Sequence, residues 1–205
     1  MRYFNVGALS VSHINGSHTP AVRGGEIVEY QGWKKRKTTN ALYFTDRQGL
    51  ALVMSESQKG NHTDFYEVEN RVDEMVTQIR TVEIILTIYF KNTDAGFDGK
   101  IFREALTKHK IISNVCSNPR NGESKEEQLF DTEFYKECWI IEWTNTWINS
   151  FRLILTRLDT TASSWKEWNY LTFTILLLRQ VGKVNKFRWL HLVNKVFDIY
   201  NWFII

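Results

Sequence analysis

The sequence is short of cysteine and proline and has no long apolar run. Its two cysteines, Cys116 and Cys138, are too few for a disulfide framework and do not have the spacing of a metal site. A reducing, cytosolic compartment is therefore expected. The longest apolar stretch, around Ile175–Leu178, is too short to span a bilayer, and the first residues lack the apolar run of a signal peptide. We expect a cytoplasmic protein with no membrane partner.

The net charge is small. The 26 Lys and Arg residues against 23 Asp and Glu leave +3, which alone does not argue for a nucleic-acid partner. The positive charges are clustered, however, and one run of four covers Lys34–Lys37. With 43% hydrophobic and 14% aromatic residues, 205 residues are enough for one domain with a substantial core.

The order of the predicted elements indicates an α/β domain. Strands are predicted over 6–14, 38–45 and 50–55, with Gly16 ending the first and the last two forming a hairpin. A helix over 65–79, a buried parallel strand over 83–90 and a helix capped by Asp98 follow. A strand over 111–115 and helices over 139–158 and 165–179, the last capped by Ser163–Ser164, complete the chain. This order is typical of a ribonuclease-H-like fold, a mixed sheet flanked by helices.

Two carboxylates stand at positions typical of an active site. Asp94 follows the predicted strand over 83–90, and ligands bind at the carboxyl edge of such sheets. A turn aspartate that satisfies loop amides is the alternative. Glu142 falls in a polar row of the predicted helix over 139–158, for which a solvated polar face is the alternative. The other members of that row are Tyr135, Cys138, Asn145, Asn149 and Arg152.

Phosphodiester cleavage gives a chemical reason to link the two carboxylates. Such reactions are commonly run by two divalent metals about 3.5–4 Å apart. These metals need several carboxylate oxygens from different elements. Carboxylates at strand ends and on one helix meet that need.

Several stretches, taken in order, resemble the insertion-sequence-five-like group of Asp-Asp-Glu transposases from bacterial insertion sequences. No single stretch is decisive, but together they are very specific, and the resemblance covers roughly Val6–Lys183. The stretches are Asn15–Ala21, Arg23–Glu26, Tyr30–Tyr43, Thr45–Gly49, Gly60–His62, Asn92–Asp98, Tyr135–Trp147, Phe151–Arg152, Arg157–Thr161 and Ser164–Trp165.

The resemblance implies a ribonuclease-H-like catalytic domain over 1–185 and an atypical, aromatic-rich tail over 186–205. It places the catalytic and metal-binding positions at Asn15, Asp94 and Glu142. The implied cofactor is Mg²⁺ or Mn²⁺, two ions in the family, and the implied partner is double-stranded DNA at the ends of the element. Whether the protein forms a homodimer is left open.

Three functional positions depart from the family pattern. The first catalytic aspartate is Asn15 here, and two arginines are replaced by Cys138 and Trp143. Each change can arise by one base transition from the expected residue, which fits drift in an element no longer under selection. An amide ligates Mg²⁺ with less charge than a carboxylate does. We therefore expect metal binding to weaken and the rate to fall by on the order of 10³-fold or more.

A set of basic and polar side chains is predicted to contact DNA. In this interpretation the run Lys34–Lys37 neutralises phosphates near the active site, and each contact adds salt dependence. A solvated basic turn is the alternative. The full predicted set is His18, Arg23, Lys34, Lys35, Arg36, Lys37, Tyr135 and Arg152.

Three hypotheses about function follow. The first is a DNA transposase that cleaves and transfers phosphodiesters with metal ions, weakened or inactivated at Asn15. The second is a non-catalytic DNA-binding or dimerising remnant that interferes with intact transposase. The third is an unstable pseudogene product.

Overall fold

The computed structural model describes residues 11–81, 89–93, 95–118 and 130–184. Most of the strand predicted over 83–90, the position Asp94 and the tail predicted over 186–205 lie outside the described residues. The strands are β1 (Val11–Pro20), β2 (Glu29–Gln31), β3 (Arg36–Asp46), β4 (Ala51–Met54), β5 (Gln58–Lys59), β6 (Tyr89–Thr93) and β7 (Ile111–Val115). The helices are α1 (Val68–Thr81), α2 (Lys100–Lys108), α3 (Thr132–Tyr135), α4 (Ile140–Asn149), α5 (Arg152–Leu155) and α6 (Ala162–Val184).

A mixed sheet forms the centre of the fold. Its strand order is β2-β3-β1-β6-β7, with β4 and β5 also paired to β3. The central strand β1 runs antiparallel to β3 and parallel to β6, and β6 runs parallel to β7. The predicted ribonuclease-H-like α/β fold, a mixed sheet flanked by helices, is confirmed.

The alternation of side chains along β3 creates two separate cores. Leu42 and Phe44 point into a core shared with α1 and α2, whereas Ala41 and Tyr43 point into a second core on the other side of the sheet. The second core is closed by residues of α4, α5 and α6. Successive residues of β3 over Ala41–Phe44 therefore alternate between two faces, and the face decides which helices each residue meets.

Several predicted elements are confirmed. The hairpin is formed by β3 and β4, and the strand over 111–115 is β7. The helix predicted over 65–79 is α1, which buries Val72, Met75 and Val76 as its apolar spacing predicted. The strand that precedes Asp94 is parallel to both neighbours, as expected.

The predicted strand ends were wrong at two places. β1 continues through Gly16 to Pro20, because pairing with β3 extends as far as Thr38. β6 likewise continues through Asn92 and ends at Thr93, because both residues pair with β7. A polar or glycine residue does not stop a strand whose neighbours supply the backbone hydrogen bonds.

The helix predicted over 139–158 is not continuous. α4 ends at Asn149, Phe151 is extended at φ −91° and ψ 116°, and α5 starts afresh at Arg152. The break lets α5 bury Ile154 in the second core. The predicted polar row therefore does not run from Glu142 to Arg152 on one helix.

Two predicted helix caps were also wrong. Gly99, not Asp98, is the N-cap of α2, and Asp98 instead pairs with Arg103 at 2.7 Å. At the start of α6 the Thr161 hydroxyl accepts the backbone N–H of Ser164 at 3.3 Å. In the residues described, no helix is both long and apolar enough to cross a bilayer.

Candidate active site and nucleic-acid interface

Asn15 lies in the middle of the central strand. It pairs with Tyr43 on β3, and the alternation of side chains puts it on the face of the second core. The side chain is half-buried, and its Oδ1 accepts the backbone N–H of Gly16 at 2.9 Å. The oxygen that a cation would use is thus already engaged by the neighbouring amide.

Glu142 lies in the first turn of α4, on the same side of the sheet as Asn15. α4 is held there by Ile148, which is buried in the second core, and by Thr144, whose hydroxyl donates to the carbonyl of Gly49 at 2.6 Å. The Glu142 side chain itself is exposed. The fold therefore brings the helix of Glu142 over the face that carries Asn15.

The described residues do not fit a Mg²⁺ site by themselves. Asn15 offers one neutral, already hydrogen-bonded amide oxygen, and Glu142 offers one carboxylate. No group of three or more His, Cys, Asp and Glu side chains within the described ranges could hold a metal ion. Hard divalent cations need several anionic oxygens, and these two side chains supply too few.

A row of tryptophans runs along α4 beside Glu142. The ring centroids of Trp139 and Trp143 are 4.4 Å apart, and those of Trp143 and Trp147 are 6.1 Å apart. Trp143 is 51% exposed at a position where the resemblance implies arginine. The substitution replaces a positive charge next to Glu142 with an exposed aromatic ring.

On the opposite face of β1, a polar network fills the space left by Gly16. Asp64 Oδ1 accepts a hydrogen bond from Asn40 Nδ2 at 2.7 Å and lies 3.5 Å from His18 Nε2. Arg71 donates to Asn40 Oδ1 at 3.0 Å and to the backbone carbonyl of Asp64 at 3.2 Å. A Cβ on Gly16 would lie 2.0 Å from Asp64 Cγ. We call Asp64, Asn40, His18 and Arg71 the Asp64 network.

The electrostatics of this network favour its charged form. Burial opposes ionisation of Asp64, but hydrogen bonds from His18 and Asn40 and the charges of His18 and Arg71 outweigh it. They hold the pKa of the carboxyl below its ordinary value. Burial lowers the pKa of Arg71 to about 10, which leaves it charged at neutral pH. The network therefore ties the end of β1 to α1 by charge as well as by hydrogen bonds.

The Asp64 network was not predicted from the sequence. The available signal was Gly16, since glycine inside a strand often marks the close approach of another group. His18, a predicted DNA contact, points its ring at Asn40 and Asp64, so this side chain is already engaged within the fold.

Arg157 anchors the end of β1 from the other side. Its side chain is fully buried, its Nη1 donates to Thr39 Oγ1 at 2.6 Å, and its Nε donates to the carbonyl of Asp159 at 2.9 Å. Its backbone N–H donates to the carbonyl of Pro20 at 2.8 Å. Burial lowers the pKa of Arg157. This motif residue is thus a structural support of the sheet in which Asn15 lies.

The predicted basic run forms the tip of a hairpin between β2 and β3. Tyr30 pairs with Lys37 and Gln31 with Arg36, and the turn between them is exposed. All four basic side chains of the run are exposed. We call residues 30–37 the basic hairpin.

The other predicted DNA contacts are spread over the surface. Arg23 is exposed in the segment after β1, and Arg152 is exposed at the start of α5. Tyr135 is half-buried, with its ring centroid 5.1 Å from that of Phe130. Asp94, the predicted second carboxylate, follows β6 in the sequence and lies outside the described residues.

Comparison with known proteins finds likeness in structure and none in sequence. No family model and no curated protein matches the chain. A structure of the simian T-cell lymphotropic virus intasome with the PP2A regulatory subunit B56 gamma matches 80% of this chain at 8% identity, with a TM-score of 0.47. The Mos1 transposase paired-end complex with the left transposon end matches 80% at 13% identity, with a TM-score of 0.36. The catalytic domain of Mos1 mariner transposase matches 80% at 12% identity, with a TM-score of 0.35.

These likenesses concern proteins of the transposase and intasome kind. The matched region covers 48% and 55% of the first two chains and 83% of the Mos1 catalytic domain. With TM-scores below 0.5, they assign neither a family nor an activity to this chain.

Proposed function

We propose that this chain is the catalytic domain of a DNA transposase of the bacterial insertion-sequence type, with phosphodiester transfer weakened at Asn15. The observation that carries the proposal is the placement of Asn15 and the helix of Glu142 on one side of a ribonuclease-H-like sheet. The sequence motifs that resemble such transposases contain both residues. The partner in this proposal is double-stranded DNA at element ends, and the cofactor of the intact site is Mg²⁺ or Mn²⁺.

The proposed weakening has a structural cause at two positions. Asn15 is neutral, and its Oδ1 is already hydrogen-bonded to the Gly16 amide. Trp143 removes the positive charge that the resemblance implies beside Glu142. Both changes lower the capacity of the site to bind divalent cations and phosphate oxygens.

A plasmid-nicking assay with Mg²⁺ or Mn²⁺ tests the proposal. We expect little cleavage by the unaltered chain and little gain from Asn15→Asp alone. We expect cleavage to return when Cys138→Arg and Trp143→Arg are added, and to be lost again when Glu142→Gln is combined with these three. Robust metal-dependent cleavage by the unaltered chain would refute the weakening. A folded triple variant without cleavage would refute the transposase assignment.

A second candidate is a non-catalytic DNA-binding remnant that interferes with intact transposase. The exposed basic hairpin favours it, because binding of phosphates needs no intact metal site. Replacing Lys35 and Arg36 by Ala should reduce the slope of log K against log salt by about 2, at roughly 0.9 per phosphate contact. An unchanged slope would mean that Lys34–Lys37 is a solvated basic turn that does not contact phosphates. DNA binding without cleavage by the triple variant would favour this candidate over the first.

A further inference from the structure

The tip of the basic hairpin presents an aromatic ring that the DNA-contact prediction did not include. Trp33 is 96% exposed, the most exposed of the large hydrophobic side chains in the described residues, and Tyr30 is 57% exposed on the same hairpin. Because the Trp33 indole is not buried, it contributes nothing to the core. Both of its faces are open to a ligand.

The ring is held on an ordered support. Gln31 Nε2 donates to the carbonyl of Gly60 at 2.9 Å, which fixes the base of the hairpin to the loop before α1. The backbone N–H of Trp33 reaches Gln31 Oε1 at 3.5 Å, and Lys35 closes the turn with a φ of 49°. A rigid support lowers the entropy lost when the ring binds a partner.

The charges around Trp33 have one sign. Lys34, Lys35, Arg36 and Lys37 follow it directly and are all exposed. No acidic residue occurs between Tyr30 and Lys37, and the nearest one, Glu29, lies 3.6 Å from the ammonium group of Lys59. The surface is therefore complementary to a polyanion that also offers flat apolar faces.

The hairpin is connected to the strand that carries Asn15. Lys34 Nζ donates to the carbonyl of His18 at 3.4 Å. Along β3, Arg36 lies seven residues from Tyr43, the partner of Asn15. This is roughly 23 Å at 3.3 Å per residue, or about seven nucleotides at 3.4 Å each. One DNA strand can therefore reach both places.

We propose that Trp33 stacks on an unpaired nucleobase of a single-stranded DNA segment, while the basic side chains beside it bind the flanking phosphates. Stacking on aromatic rings is the sequence-tolerant way in which proteins hold single strands, and every base has a face to offer. The basic residues supply the part of the affinity that depends on salt, and Trp33 supplies a part that does not. The proposal rests on the DNA partner of the proposed function.

Binding of DNA with a single-stranded extension, measured by fluorescence anisotropy, tests the proposal. Trp33→Leu should weaken binding of the extended DNA by about 5- to 150-fold, the range expected for one stacked base. It should leave binding of a blunt duplex and the salt slope unchanged. A 2-aminopurine base placed along the extension should be quenched by the unaltered chain and not by Trp33→Leu. Tyr66→Leu is the matched control, an exposed aromatic residue whose ring lies on His62.

Three outcomes would overturn the proposal. If Trp33→Leu and the unaltered chain bind the extended DNA with equal affinity, Trp33 does not stack on a base. If Trp33→Leu weakens binding of blunt and extended DNA equally, Trp33 does not recognise an unpaired base. If Trp33→Leu lost binding to phosphatidylserine vesicles while its DNA binding was unaffected, the partner of Trp33 would be a lipid surface. If Trp33 controls binding of the extended DNA but the variant with Asn15→Asp, Cys138→Arg and Trp143→Arg does not cleave, the stacking proposal is supported and the proposed catalytic function is refuted.

Discussion

Gly16→Ala should destabilise the protein, although alanine suits the backbone of a strand. The new Cβ would lie 2.0 Å from Asp64 Cγ, whereas ordinary contacts begin at 3.4 Å, so the carboxylate must move. Such a move breaks the 2.7 Å hydrogen bond from Asn40 and weakens the pairing with His18. A hydrogen bond to a charged group contributes about 1.5–3 kcal/mol. The lower conformational entropy of the unfolded alanine variant offsets about 0.4–1 kcal/mol of this, so we expect a net loss of about 1.5 kcal/mol.

Urea denaturation of a double-mutant cycle measures this effect. Asp64→Ala removes the group that the new methyl would meet, so Gly16→Ala should cost nothing further in that background. We expect a coupling free energy of about 2 kcal/mol between the two positions. Gly24→Ala is the control, because nothing lies within 4 Å of its Cβ position, and it should change stability by less than about 0.5 kcal/mol.

Additive effects of Gly16→Ala and Asp64→Ala would refute the reasoning. So would a Gly16→Ala variant as stable as the unaltered chain. Either result would mean that the space beside Gly16 is not set by the Asp64 carboxylate.

Three further predictions concern buried polar groups. The folded-state pKa of Asp64 is lowered, so the carboxylate should stabilise the protein above about pH 4, the unfolded pKa, and lose this effect as pH falls through the folded pKa. In urea denaturation at acid pH, the stability of Asp64→Asn should lack this pH-dependent part. Parallel pH profiles of the two proteins would argue against the prediction. Arg157→Met should lose about 2 kcal/mol in urea denaturation, because the buried Thr39 hydroxyl loses its donor, and unchanged stability would contradict this. Burial raises the pKa of Tyr43, so stability should fall as pH rises above about 10, where the unfolded tyrosine ionises. Tyr43→Phe should flatten that alkaline decline in thermal unfolding, and an identical decline in both proteins would count against it.

Local periodicity predicted the elements whose burial is decided by their own sequence. The spacing of Val72, Met75 and Val76 marks one face of α1, and that face is the one buried. β7 has the bounds that its apolar run indicated. In both cases the sequence pattern and the tertiary packing favour the same structure.

Predictions failed where distant residues decide the local structure. Gly16 stays in a strand because β3 pairs beyond it and because Asp64, 48 residues later, occupies the space beside it. The predicted helix over 139–158 breaks at Phe151 so that Ile154 can enter the second core. No short window of sequence around Gly16 contains Asp64, and none around Phe151 contains Ala41 and Tyr43, the strand residues of the second core that Ile154 joins.

At the candidate site, too, local features were predicted and long-range contacts were not. The sequence predicted Asn15 at the end of the first strand and Glu142 on a helix, and the structure places the Asn15 side chain and α4 on the same side of the sheet. The side chains that support the sheet around Asn15, Arg157 on one face and the Asp64 network on the other, were not predicted as supports. They act through hydrogen bonds across more than 20 positions of sequence, for which a single sequence gives no periodic signal.

The parallel pairing of β1 with β6 has a consequence for synthesis on the ribosome. Lys91 follows its partner Ser12 by 79 residues, whereas the antiparallel partner of β1 is complete by Asp46. At 5–20 residues per second, β1 waits about 4–16 s with one edge unpaired after it is made. An open strand edge is a template for association with other nascent chains. On a polysome, the unpaired edge of β1 can therefore meet neighbouring nascent chains before β6 has been made.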